Sequence, residues 1–207
     1  LMSAPGIFGT SIETVPNAIP YLRADEGLVE RWRDELRCDG ELKVGIAWQG
    51  NRSNPADRDR SMKLAEFEPL ASVQGVKFFA LQKGDGCEQI PSVAGKFSVV
   101  DFGDRLDSSG PFLDTAAIIA NLDLVIAPDI SVAHLAGAMG IPVWVALDHS
   151  PDWRWMLGRD DSPWYPTMRL FRQDIPGDWS GVFRTITGQL RRFGLPDDSA
   201  PRPLQID

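Results

Sequence analysis

Short, nearly continuous apolar runs recur along the middle of this chain and alternate with segments of helical periodicity, and this alternation restricts the fold more than any single motif. The runs are Lys43 to Trp48, Val76 to Leu81, Phe97 to Asp101, Leu124 to Ala127 and Pro142 to Leu147, with a weaker sixth at Met168 to Phe171. They are rich in β-branched and aromatic residues, the pattern of strands buried on both faces. Between them lie helical candidates at Lys63 to Val73, Gly86 to Ala94, Leu113 to Asn121 and Ser131 to Met139. The order predicts an α/β fold, a doubly wound parallel sheet with right-handed crossovers, whose ligands bind at the carboxyl ends of the strands.

The flanking segments read differently. Residues 1 to 22 carry Pro5, Pro16 and Pro20 with Gly6 and Gly9, too punctuated for a helix or a core strand, and are expected to be a linker or a docked extension. Leu28, Val29, Trp32 and Leu36 then recur at helical spacing and predict an amphipathic helix ending near Asp39-Gly40. A last helix is predicted from an Asp178 cap, with Trp179, Val182, Phe183, Ile186, Leu190 and Phe193 on one face and a stop at Gly194 before Pro196. Three parts follow: residues 1–39 as linker and helix, 40–196 as the ligand-binding domain, and 197–207 as a loose tail.

Composition narrows the chemistry. Twenty-nine acidic against 21 basic residues leave a formal charge of −8, so there is no global attraction for a nucleic-acid backbone. Any anionic ligand has to meet a local basic site. Cys38, Cys87, His134 and His149 lack metal-ligand spacing, so no metal site is expected, and the two cysteines read as free thiols of a cytoplasmic protein. No apolar run reaches the ~20 residues of a membrane span. The sequon Asn51-Arg52-Ser53 has no meaning in that compartment. The start at Leu1 hints at a segment of a longer polypeptide.

The stretch NLDLVIAPDISVAHLAGAMGIPVWVAL, Asn121 to Leu147, reads as strand, turn, helix and strand. A helix starting at Ser131, at a strand's carboxyl end, offers backbone N–H groups and a positive dipole end to a diphosphate. Asp129 and Ser131 either cap that helix or border the ligand, and His134 either turns toward the anion or packs as an ordinary histidine. The first strand ends in Trp48-Gln49-Gly50-Asn51 and enters a polar loop with Arg52, Arg58 and Arg60, of which Arg60 is the preferred phosphate contact; the alternative is a solvated loop paired with Asp57 and Asp59. Gln82 and Lys83 end the second strand and suit ribose or phosphate. The Gly84-Asp85-Gly86 that follows lacks the third glycine of a dinucleotide fingerprint, which argues against a nicotinamide or flavin dehydrogenase. The loop Asp101 to Gly110, with Asp114 and Thr115 opening the next helix, could receive the nucleobase, or Asp114 simply caps. Trp153, Trp155 and Trp164, with Arg154 and Arg159, either wall a sugar site or a domain interface or pack a long loop. No catalytic triad, Walker loop or nucleophile elbow is present in the sequence.

These residues also carry a resemblance. VGIAWQGN with DRDRSMKLAEFEPL, FFALQKG, DTAAIIANLDLVIAPDISVAHLAGAMGIPVWVAL and PDWRWMLGRDDSPWYPTMRLFRQ, about residues 40 to 193, resemble the C-terminal region of bacterial tetratricopeptide-repeat glycosyltransferases. Those are related to the lipopolysaccharide heptosyltransferases and, more distantly, to O-linked N-acetylglucosamine transferase. The upstream FGTSIETVPNAIPYL looks like that family's link between its two domains. The resemblance implies a Rossmann-like C-terminal half of a metal-independent, inverting GT-B enzyme, holding a nucleotide-diphosphate sugar of the UDP or ADP type with no cofactor. It implies Gln49 and Gly50 near the diphosphate, Arg60 in the place of a phosphate-binding lysine, and the backbone of Ser131 and Val132 on the diphosphate. Asp129 and His134 match the turn's Asp-x-x-x-x-His, with Asp129 near the sugar, and Lys83 falls in the loop that contacts the nucleoside. The general base is expected on an N-terminal acceptor domain of the parent chain, beside tetratricopeptide repeats, so this part alone is expected to be inactive. The last helix's apolar face is expected to be partly exposed and to promote self-association. The other readings are a non-catalytic nucleotide-sugar sensing module and a sugar-nucleotide epimerase-like domain using Asp148 and His149.

Overall fold

A computed structural model describes residues 4–55 and 57–193; the stop at Gly194 and the tail at 197–207 lie outside the described residues. Five strands, β1 (Leu42–Ile46), β2 (Val76–Ala80), β3 (Leu124–Pro128), β4 (Val143–Leu147) and β5 (Met168–Arg172), form one sheet in the order β2-β1-β3-β4-β5. Every pairing is parallel. The principal helices are α1 (Glu26–Glu35), α2 (Leu113–Ile119), α3 (Ser131–Ala138) and α4 (Trp179–Leu190).

The period of two along the strands sorts the apolar residues into two cores. In β3, Val125 and Ala127 face a cluster with Trp32, Phe79, Phe102 and Ile118, whereas Leu124 and Ile126 face another with Phe67, Trp144 and Phe183. In β4, Val143, Val145 and Leu147 join the first and Trp144 and Ala146 the second. The sheet is therefore covered on both faces, which is why its central strands lack a polar alternation. Gly45 has no room for a side chain: a Cβ there would lie 2.5 Å from Leu122 Cδ1 and 2.7 Å from Leu81 Cδ1.

Four expectations change, the first being a single helical turn, Ala4–Ile7, in the N-terminal stretch that reads as too punctuated for a helix. Phe97 to Asp101 contributes only an isolated bridge, Val100 to Phe79, beyond the edge strand β2; Gly95 and Gly103, both at positive φ, bend the chain away on either side. The helix expected at Lys63 to Val73 is a 3-10 segment, Leu64–Ser72, because Pro69 inside it supplies no N–H and clashes with an α-helical turn. Gly86 to Ala94 splits into a 3-10 turn, Cys87–Gln89, and one helical turn, Ile90–Val93, around Pro91.

The helix near Leu28 forms as α1, capped by Asp25 accepting from Leu28 N at 2.9 Å, and α4 is capped by Asp178 accepting from Gly181 N at 3.0 Å. The N-terminal segment docks at the far end of α3, where the N–H groups of Tyr21 and Leu22 both donate to Ala138 O, at 2.9 and 3.2 Å. Among the described residues no helix is long and apolar enough to cross a membrane.

Candidate functional site

In the order β2-β1-β3 the chain leaves β1 in one direction and returns on its other side, so the loops after β1 and β3 part from each other at the carboxyl edge. A cleft of about 450 Å³ opens there, lined by Gln49, Gly50, Gln82, Lys83, Asp107, Phe112, Thr115, Ser131 and Val132 among others. Of the residues expected at a ligand site, seven come together in it: Gln49, Gly50, Gln82, Lys83, Thr115, Ser131 and Val132.

The β3 side of the cleft is the start of α3. No side chain caps this helix, so Asp129 and Ser131 are not its caps, and its first N–H groups are left without a side-chain acceptor. Ala133, Ala136 and Gly137 keep α3 close to its neighbours; a Cβ on Gly137 would come 2.8 Å from the Tyr165 ring.

The loops after β1 and β2 are joined by Gln82, 6% exposed, which uses its whole amide on the backbone. Its Oε1 accepts from Trp48 N and Gln49 N, both at 3.0 Å, and its Nε2 donates to Gln49 O at 2.8 Å and Asp85 O at 2.7 Å. Gln82 thus shapes the cleft floor rather than offering itself to a ligand. A second bracket centres on Asp57, which is 2% exposed. It accepts from Gln49 Nε2 at 2.6 Å, Ser61 Oγ at 2.8 Å and Arg60 Nε at 3.4 Å, and Ser61 Oγ accepts from Gly50 N at 2.9 Å. Arg60 is therefore held by Asp57, while Arg52 pairs with Glu88 at the surface.

On the β2 side, Lys83 Nζ donates to the carbonyls of Leu106 and Asp107, at 2.5 and 3.0 Å, and ties down the loop before α2. Asp107 caps α2 by accepting from Thr115 N at 2.8 Å and Thr115 Oγ1 at 2.7 Å. Asp114 does not face the cleft. It is fully buried, and its Oδ1 accepts from Arg31 and from Trp32 Nε1 at 2.8 Å, which fastens α1 to α2. A nucleoside contact for Asp114 is replaced by this structural role.

Arg60 and Asp129 line a neighbouring recess of about 380 Å³ with Asp148, Asp152 and Arg154. Asp129 is 6% exposed; its Oδ1 lies 3.2 Å from His134 Nε2 and its Oδ2 3.5 Å from Arg154 Nη2. Burial pushes this carboxyl up, but hydrogen bonding from His134 and the charge of Arg154 help to outweigh it and hold it below the ordinary aspartate value. Asp148 moves the other way, raised by burial and then by Asp59 and Asp129. His134 turns away from the first cleft: its Nδ1 lies 3.2 Å from the Tyr165 hydroxyl, and its ring stacks on Trp155 with centroids 5.4 Å apart. With Tyr21, Trp153, Arg154, Trp164 and Tyr165 it lines a third recess of about 340 Å³. Trp155 is buried beneath, and Arg159 pairs with Asp161 at 2.6 Å. His149, with Nδ1 3.3 Å from Gln173 O, also lies outside the first cleft, as does Asp148.

The residues not anticipated are Phe112 and Tyr165; Asp57 was expected only as an ion-pair partner of the loop arginines, which it is for Arg60, and Asp107 only as part of the loop from Asp101 to Gly110. Phe112 lies just past the loop singled out at Asp101 to Gly110. Among the described residues no group of three or more His, Cys, Asp or Glu is placed to hold a metal ion.

No protein-family profile matches the chain. In sequence it is similar to Protein FlbA of Caulobacter vibrioides, 31% identical over 198 residues that make up 92% of this chain and 33% of that protein. The chain thus spans about a third of the length of this curated relative. Among solved structures it is similar to a family 9 glycosyl transferase from Veillonella parvula, with a TM-score of 0.59 and 13% identity over 90% of this chain and 55% of that one. The likeness is one of fold: a GT-B-like, Rossmann-type α/β domain built on a five-stranded parallel sheet. It agrees with the heptosyltransferase side of the resemblance and does not extend to tetratricopeptide repeats or to O-linked N-acetylglucosamine transferase.

Proposed function

We propose that this chain is the donor-binding domain of a metal-independent, inverting glycosyltransferase and holds a nucleotide-diphosphate sugar of the UDP or ADP type. The observation that carries the reading is the uncapped start of α3, opening at the β1/β3 switch point into a cleft whose other side is Lys83. Backbone N–H groups and a helix dipole suit a diphosphate, and they favour the leaving nucleoside diphosphate as negative charge builds on it. Ser131 and Val132 supply the amides and Gln49 and Gly50 the facing loop. Arg60 adds a positive charge from the adjoining recess, where Asp129 meets the sugar.

In this reading the base for the acceptor hydroxyl belongs to a second, acceptor-binding domain of the parent protein, which works in the cytoplasm and carries tetratricopeptide repeats. The isolated chain then binds donor weakly and transfers nothing; the self-association expected from the last helix is not retained, because Val182, Phe183, Ile186 and Leu190 on its apolar face are buried against the sheet. Calorimetric titration with UDP, ADP and GDP tests the proposal: binding of at least one, lost on a bulky change such as Ser131→Trp and weakened by Arg60→Ala, supports it. No heat with any of the three removes it. Sugar transfer by this chain alone overturns the division of labour between domains.

A further inference from the structure

The aromatic ring at the mouth of the cleft has an unusual backbone. Phe112 has φ 63° and ψ 4°, the left-handed region, and it stands directly before α2, where its own side chain makes no capping hydrogen bond. A bulky residue is costly there, and glycine or asparagine would be the cheaper choice. Phe112 is nonetheless 44% exposed, and among the described residues no other aromatic ring packs on it. The strain is therefore not offset by burial in the core. Strain of this kind persists where surrounding contacts impose it, often at ligand sites.

The surroundings do impose it. Lys83 holds the carbonyls of Leu106 and Asp107, and Asp107, itself at φ 53°, caps α2 through Thr115. Phe112 O accepts from Ala116 N at 2.9 Å as the first link of α2, and buried Asp114 pins the same turn to α1. The loop is thus fastened at both ends, and the ring is presented into the cleft that Ser131 and Val132 also line. Its anchors follow β2, whereas the amides follow β3, two strand spacings or roughly 10 Å away. That separation fits a flat heteroaromatic group joined by a sugar to a diphosphate.

We infer that Phe112 is the stacking platform for the nucleobase of a nucleoside diphosphate whose phosphates lie at the start of α3, an inference that rests on the donor-binding reading above. A π-face recognises a base without selecting among bases, so the platform contributes affinity and leaves base choice to the backbone around it.

The test compares the native chain with Phe112→Gly and Phe112→Trp. Dissociation constants for ADP, UDP and GDP are measured by calorimetry, base-proton shifts of bound nucleotide by NMR, and melting temperature by thermal denaturation. Glycine removes the backbone strain, so the glycine variant is expected to melt no lower than the native chain. It is expected to bind about tenfold more weakly, in line with one lost base–aromatic stack, and to lose the upfield base-proton shift that the native chain gives. The tryptophan variant keeps both affinity and shift. Unchanged affinity in the glycine variant, or no upfield shift with the native chain, overturns the inference while leaving donor binding intact. A lower melting point together with weaker binding also overturns it, because the ring would then be structural. A native chain that binds none of the three refutes the donor reading and this inference together.

Discussion

His134 Nε2 stands 3.2 Å from Asp129 Oδ1, and its other ring nitrogen stands 3.2 Å from the Tyr165 hydroxyl, so the histidine in the first turn of α3 is committed to protein partners on both sides. It braces the turn and does not reach into the first cleft. His134→Ala is expected to cost about 1–2 kcal/mol of stability, the usual loss for partners left unpaired in a half-buried network. Affinity for a nucleoside diphosphate should stay within about threefold of native, well under the tenfold that 1.4 kcal/mol represents. Parallel thermal melts and titrations check this; a large loss of affinity with an unchanged melt would restore the histidine to the ligand.

Asp129 and Asp148 should shift acid stability in opposite senses. The folded carboxyl of Asp129 is depressed, so its contribution is present above the unfolded aspartate value of about 3.9 and is lost as pH falls through the lower folded value. Asp129→Asn should therefore lower the melting temperature most near neutrality, with the gap closing in strong acid. Asp148 is raised, so its penalty on the fold builds as pH rises from the unfolded aspartate value of about 3.9 toward the higher folded value and is complete above it. Asp148→Asn should raise the melting temperature at neutral pH and make no difference in acid. Melting curves from pH 3 to 8 decide both signs.

Asp114 is expected to matter for the fold and not for the ligand. Asp114→Ala removes the acceptor of the buried Trp32 Nε1 and the partner of Arg31, half of whose side chain remains in solvent. The loss should be about 2 kcal/mol, as for a buried donor left without its acceptor, or roughly 4–8 °C for a chain of this length. Denaturant unfolding measures it. A stable variant with poor nucleotide binding would contradict the structural role.

Gly50→Ala tests the bracket between the first two loops. A Cβ at this position would lie 2.1 Å from Asp57 Oδ1, so the carboxylate that holds Gln49, Arg60 and Ser61 has to move. A cost of about 1–3 kcal/mol is expected from overpacking and the disturbed hydrogen bonds. Because Gln49 and Gly50 form one wall of the cleft, nucleotide binding should weaken with it. Asp57→Ala should reproduce the binding defect, and the two changes together should cost less than their sum.

The elements legible in the sequence are those whose determinants are local. Leu124 to Ala127 and Pro142 to Leu147 read as doubly buried strands from their own β-branched and apolar character, and α4 was readable from Asp178 and the face that runs from Trp179 to Phe193. The turn between β3 and α3 was readable as a strand ending at a helix start. Where a local signal was opposed by another residue the reading failed: Pro69 tightened one helix to a 3-10 segment, and the flanking glycines reduced Phe97 to Asp101 to a bridge.

By itself, then, the sequence determined a parallel α/β layout, the approximate place of each central strand, and a strand-to-helix turn at Asp129 to Ser131. Only the tertiary structure decided which polar groups remain available at that turn. Gln82 is consumed by backbone 33 residues away, His134 by a phenol 31 residues away, and Asp114 by a helix more than 80 residues away. The physical reason is that hydrogen-bonding capacity is finite and its partners come from distant segments, so no local pattern reveals whether a side chain is free. Strand order did the rest: by placing β1 between β2 and β3 it opened one cleft between Phe112 and Ser131 and set Arg60 and Asp129 in a recess beside it.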